Sequence, residues 1–177
     1  RSGETTTLLS HRYYLQDAAF TLAVTSEDTT LLHKSAEKLR RPRWAPYLGR
    51  RSCPPSGPLI LTTVTATPVE HLLKLPLTRP APGRNGPSQE ATVPVEFASD
   101  LPLDGLSADG RSPADPILGE AQDEPLSFTP LDRRYRARPV HRITLRLPAT
   151  QCAGYGTQYL TRLSSYLADH QLEVSSS

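Results

Sequence analysis

The chain has 177 residues, 18 of them proline and 10 glycine, with 37% hydrophobic residues and a formal net charge of +2. Its apolar runs, such as Leu59-Ile60-Leu61, are far shorter than the roughly 20 residues that span a bilayer as a helix. The two cysteines, Cys53 and Cys152, have no CxxC or Cys/His spacing, so the composition offers neither a zinc motif nor a disulfide framework, and no cofactor or metal site is expected.

In chain order, residues 11–24 predict a strand: from Ala18 the even positions Phe20, Leu22 and Val24 are apolar and the odd ones small. The turn Thr25-Ser26-Glu27-Asp28 supplies N-cap residues for a helix over 29–40, with Leu31, Leu32, Ala36 and Leu39 on one face. Pro42 stops that helix, because proline disfavours helical geometry in the residue before it. The next stretch, RPRWAPYLGRRSCPPSGP, holds five prolines and two glycines and predicts an ordered loop without regular structure. Residues 59–65 predict a strand, and Thr67-Pro68-Val69-Glu70 opens a short helix ending near Leu75. Residues 76–92 are rich in proline and glycine and predict a mobile connection. Val93, Val95 and Phe97 alternate as a short edge strand, since Pro94 forbids a central one. Residues 99–125 are acidic and predict disorder. Residues 139–147 predict a strand, with Ile143, Leu145 and Leu147 on one side and Arg142, Thr144 and Arg146 on the other. The spacing of Tyr159, Leu160, Leu163, Tyr166 and Leu167 predicts an amphipathic tail helix over 157–170 that docks on another element.

The small net charge averages three blocks: residues 31–51 carry +6, residues 90–130 carry −8, and residues 131–150 carry +5. In the basic blocks arginine outnumbers lysine, and aromatic rings interleave the cations at Arg43-Trp44 and Arg134-Tyr135-Arg136. Guanidinium forks suit phosphate, and rings suit splayed bases, so the pattern points to single-stranded nucleic acid. A solvated basic face, or a basic module meeting an acidic protein, fits the charge alone as well.

The string RPRWAPYLGRRSCPPSGPL, with HRYYLQDAAFTLAV upstream, resembles the CasD family of type I-E CRISPR Cascade, within the RAMP superfamily. The resemblance runs over about residues 8–66 and is densest at PYLGRRSCP, with a weaker echo at RRYRARPVHRITLRLP. It implies an α+β fold: the C-terminal part of a ferredoxin-like (RAMP/RRM-like) domain, a small β-rich C-terminal region and a tail helix. The organisation it implies is a partial RAMP domain over 1–75, an acidic linker over 76–130, a basic β segment over 131–150 and a tail over 151–177. The chain lacks methionine and opens at Arg1, and the family's first strand, first helix and most of its thumb are expected to be missing.

What the resemblance implies about function is a non-catalytic subunit of a surveillance complex. Such a subunit grips the 5′ handle of the CRISPR RNA and caps the backbone filament. It touches the backbone and large subunits and meets target DNA only indirectly, in the cytoplasm and not at a membrane. Carried onto this sequence, Arg12 falls at the end of the thumb. Arg43, Trp44, Tyr47, Leu48, Gly49, Arg50 and Arg51 form the RNA-facing loop, and Trp44 stands where a relative carries tyrosine. The same residues admit plainer roles. Trp44 and Tyr47 could pin the loop to a core, and Arg50 could pair with the acidic segment. A metal-independent endoribonuclease of the type I-C kind is the enzymatic alternative. It would draw on His11, Tyr13 and Tyr14, with Lys34 and Lys38 on the following helix.

Overall fold

A computed structural model describes residues 18–62, 68–83, 91–103, 106 and 115–170. Along the chain these form helix α1 (Thr29–Arg40), helix α2 (Pro68–Lys74), strand β1 (Thr92–Ser99), strand β2 (Ile117–Thr129) and strand β3 (Asp132–Pro148). A 3-10 turn (Ala149–Gln151) and helix α3 (Thr157–Asp169) follow. The three strands make one antiparallel sheet in the order β1-β3-β2. Helices beside an antiparallel sheet are the α+β class expected.

α1 starts where its cap predicts: the Leu31 N–H donates to Asp28 Oδ1 at 2.9 Å, and the Asp28 N–H donates to Ser26 Oγ at 3.1 Å. Lys38 and Arg40 in its last turn suit the negative end of the helix dipole. The helix is thinly covered: only Ala36 is buried, while Leu31 and Leu39 are exposed.

Two predicted strands do not form in the described residues. Residues 18–24 are irregular, with Phe20, Leu22 and Val24 exposed, because no described strand runs beside them and a strand without a partner is not stable. Residues 59–62 are also irregular; Leu61 packs instead against Leu75 of the α2 end and Leu163 and Leu167 of α3. Residues 11–17 and 63–65 lie outside the described residues, as do Thr67 and the thumb remnant at 1–10.

Two segments expected to be loose are structured. Residues 76–83 run beside the 3-10 turn: the Leu77 N–H donates to the Gln151 carbonyl at 2.9 Å, and the Ala153 N–H donates to the Leu77 carbonyl at 2.9 Å. The Arg79 guanidinium donates to the Pro94 carbonyl at 2.9 Å, tying this segment to β1. Residues 117–125 belong to β2, which pairs along β3 despite their acidity. Opposite charges across the ladder hold them there, a cross-strand effect that composition does not display. The stretch read as a linker over 76–130 therefore contributes two of the three strands.

β3 is also longer than the predicted 139–147, because the ribbon with β2 continues to a turn at Pro130-Leu131. β1 is an edge strand, as Pro94 requires, and pairs only with residues 141–148 of β3. β2 is the other edge. Its register slips between Ala121 and Glu124 and again between Pro125 and Ser127, which accommodates a proline that cannot donate to the ladder.

The core lies on one face of this sheet. Ile143, Leu145 and Leu147 alternate into it, with Leu103, and are covered by Leu73, Leu77, Val95, Phe97 and Leu106. α3 docks by Leu163 and Leu167 on Leu75, Leu72 and Leu61, as its stripe predicts. Gly156 caps it at φ 56, a left-handed geometry that costs other residues about 1 kcal/mol or more. Arg162 fastens it by donating to the carbonyls of Cys152 and Thr150, each at 3.1 Å.

Candidate nucleic-acid interface

The loop from Arg41 to Pro58 follows from its residue types. Four arginines, no lysine, no histidine and no carboxylate occupy residues 41–58, and five prolines exclude helix or sheet. Arg41 closes α1 by donating its backbone N–H to the Glu37 carbonyl at 3.2 Å. The chain then turns outward. The Leu48 N–H donates to the Cys53 carbonyl at 2.8 Å, and the Cys53 N–H donates to the Arg50 carbonyl at 3.0 Å. These bonds close a small ring with Gly49, Arg50, Arg51 and Ser52 at its tip. Gly49 takes φ 78, and a Cβ built there would meet nothing within 4 Å. The glycine is therefore needed for its left-handed backbone, and its open side leaves room for a ligand backbone to approach.

The rings of the loop face outward. Trp44 is 76% exposed, Tyr47 51% and Leu48 65%, so neither ring pins the loop to a core. The Arg43 guanidinium lies 5.3 Å from the Trp44 ring centroid, a cation–π contact that orients both groups. Arg51 is exposed and makes no ion pair among the described residues. The structure thus brings Arg43, Trp44, Tyr47, Leu48, Gly49, Arg50 and Arg51 onto one exposed loop. Arg12, with His11, Tyr13 and Tyr14, lies outside the described residues; Lys34 and Lys38 are exposed on α1.

The second basic block is organised differently from its sequence appearance. On β3, Arg134 pairs with Asp132 at 3.0 Å, Arg136 with Glu124, and Arg142 with Glu96 at 2.6 Å. Arg138 pairs with Asp123 at 2.6 Å and also with Asp100. Hydrogen bonds from Arg138 and Arg136 hold the Asp123 and Glu124 carboxyls below their ordinary values, and the same bonds raise Arg138 and Arg136. Three of the six arginines of this block are thus engaged by the acidic segment and Arg134 by Asp132 within the block, rather than free for phosphate. The signal was present in sequence as acids at 120–124 and arginines at 134–138, but it becomes a pairing only once the hairpin register is known.

A further cluster joins α2 to α3. His71 Nδ1 and the Tyr166 hydroxyl are 3.2 Å apart, and the Tyr166 ring stacks on His170 at 4.1 Å between centroids. Burial pushes the Tyr166 hydroxyl up from its ordinary value. The histidines, scattered in sequence, meet only because α3 docks.

Comparison with known proteins adds three findings. The family described as CRISPR-associated protein (Cas_Cas5) matches residues 1–141. The chain is 41% identical over 69 residues to "CRISPR system Cascade subunit CasD" of Escherichia coli (strain K12), a match covering 38% of this chain and 31% of that subunit. A chain of a solved "CRISPR RNA-guided surveillance complex" superposes with a TM-score of 0.54 at 29% identity, over 78% of this chain and 50% of that one. The chain spans about half the length of that solved chain, and the match to the Escherichia coli subunit takes in 31% of its length.

Proposed function

With the family match running over residues 1–141, the chain belongs to the CRISPR-associated Cas5 family, and from that premise we propose that it is a non-catalytic RNA-binding subunit of a CRISPR surveillance complex. The RNA it grips is the 5′ handle of the CRISPR RNA, by the loop around Gly49. It caps the backbone filament, touches the backbone and large subunits, and meets target DNA only indirectly, all in the cytoplasm. No helix among the described residues is long and apolar enough to cross a membrane.

The observation that carries this reading is the exposed loop. Trp44 and Tyr47 are offered to solvent beside Arg43 and Arg51, around a glycine tip that a phosphate can approach. Exposed rings next to arginine are open for bases to stack on, and such stacking is worth about 1–3 kcal/mol per base. The loop offers cations, rings and backbone amides but no histidine, lysine or carboxylate. That set binds RNA without supplying the general base that cleavage usually needs.

The test is handle binding across a salt series. Arg50→Ala with Arg51→Ala should weaken binding and lower the slope of log affinity against log salt by about 0.7 for each phosphate no longer neutralised. Unchanged affinity and slope would remove the loop from the RNA site.

A further inference from the structure

Helix α1 carries cations that the loop site does not use. At 3.6 residues per turn, Lys34 and Lys38 stand about 40° apart around the helix axis, and Ala36, the buried residue of α1, lies on the opposite side. Both lysines are exposed. Arg41, which closes the helix, has a partner of its own. Glu37 borders the lysines, yet among the described residues it forms an ion pair with neither. Lys38 in the last turn suits the negative end of the helix dipole, but Lys34 stands further upstream, where that field has faded.

The lysine face runs directly into the loop. α1 ends at Arg40, the Arg41 N–H closes it on the Glu37 carbonyl, and the Arg43–Trp44 pair follows. A strand held by the loop can therefore continue along the helix. Lys34 and Lys38 are roughly 6 Å apart along the axis, and two nucleotides of a stacked strand advance by about 7 Å. The two ammonium groups can thus each meet a phosphate of one strand.

The residue types decide what is recognised. Neither lysine has an aromatic neighbour on α1 that would stack a base, since the helix holds no Phe, Tyr or Trp. An ammonium is a point charge that meets phosphate without reading sequence. A protein partner fits less well, because lysine is depleted at interface centres. We propose that the Lys34–Lys38 face of α1 is a phosphate track, which holds the single-stranded backbone of the guide RNA where it leaves the handle-binding loop, without regard to base or sugar. This deepens the reading of the loop as the handle site and rests on it.

The experiment compares two RNAs on the full-length protein: the bare handle, and the handle lengthened at its 3′ end by single-stranded nucleotides of arbitrary sequence. Wild-type protein should bind the longer RNA about tenfold more tightly at about 0.1 M salt, with a salt slope steeper by about 0.7 for each lysine engaged. Lys34→Gln with Lys38→Gln should bind the bare handle as wild type does, which also shows that it is folded, and should lose both the gain and the added slope. Lys34→Arg with Lys38→Arg should keep them, and deoxynucleotides in the extension should serve as well as ribonucleotides. The track is overturned, with the handle site left standing, by any of four results: no gain in wild type, a gain that survives the glutamine changes, a gain that depends on the extension's sequence or 2′-hydroxyls, or the same gain from an oligo-aspartate tail. A loss of bare-handle binding as large as the loss for the longer RNA, with helicity intact by circular dichroism, overturns it as well. Wild-type protein that binds no handle overturns the loop reading, and the track with it.

Discussion

Arg138 on β3 holds both carboxylate oxygens of Asp123 on β2, with Nε 2.6 Å from Oδ1 and Nη2 2.9 Å from Oδ2. Its remaining nitrogen reaches Asp100 just past β1. One guanidinium thus gathers acids from both flanking segments, and its planar fork is the geometry that makes such pairing directional. This pairing offsets the acidity of a stretch that has the composition of a disordered linker but is a strand paired along β3.

Acidification should loosen the ribbon first. The Asp123 and Glu124 carboxyls sit below their ordinary values in the folded protein because Arg138 and Arg136 hydrogen-bond to them. Their contribution is therefore complete above the ordinary carboxylate range of about 4 and is lost as the pH falls through the lowered values. Amide exchange in residues 120–138 should accelerate in acid before exchange in residues 143–147 does. A uniform rise over the whole sheet would contradict this, and Arg138→Gln should reproduce the local effect at neutral pH.

Trp44→Ala should separate binding from folding. At 76% exposure the ring contributes little to stability, so thermal unfolding should shift by less than the equivalent of about 0.5 kcal/mol. Handle RNA affinity should fall by about 1–3 kcal/mol. A large loss of stability with intact binding would mean that the ring serves the fold.

Gly49→Ala tests the loop backbone. Its φ of 78 is strained for any side chain, and with nothing within 4 Å of a Cβ the whole effect is conformational. The cost should be about 1–2 kcal/mol, read as weaker RNA binding rather than as unfolding of the sheet. Full affinity in Gly49→Ala would show that the left-handed tip is dispensable.

Leu145→Ala should cost about 2–5 kcal/mol in chemical denaturation, because Leu145 is fully buried at the centre of the sheet core and its removal leaves a cavity. Leu131→Ala, at the fully exposed turn, should change stability by no more than about 0.5 kcal/mol. The contrast checks which end of β3 holds the fold together.

How much of this was legible beforehand depends on the range of the interactions involved. α1 with its Asp28 cap, the β1 edge strand with Pro94 and the α3 stripe were all readable, because caps, prolines and helical spacing act within a few residues. The irregular loop at 41–58 was readable for the same reason, and so were the residues that compose the candidate RNA site. Strands were read poorly. Residues 18–24 alternate well but lack a described partner, whereas residues 117–125 alternate badly yet pair along β3. Pairing is a property of two segments, and composition describes only one.

By itself the sequence determined the positions of the helices, the arginine- and proline-rich loop and the family resemblance, since each is written in neighbouring residues. The tertiary structure alone decided that Trp44 and Tyr47 face solvent, and that the arginines at 134–138 are largely engaged by acids. It alone left Leu126, Phe128 and Leu131 uncovered at the ribbon tip. These outcomes rest on burial and on cross-strand register, which arise only when segments far apart in the chain come together.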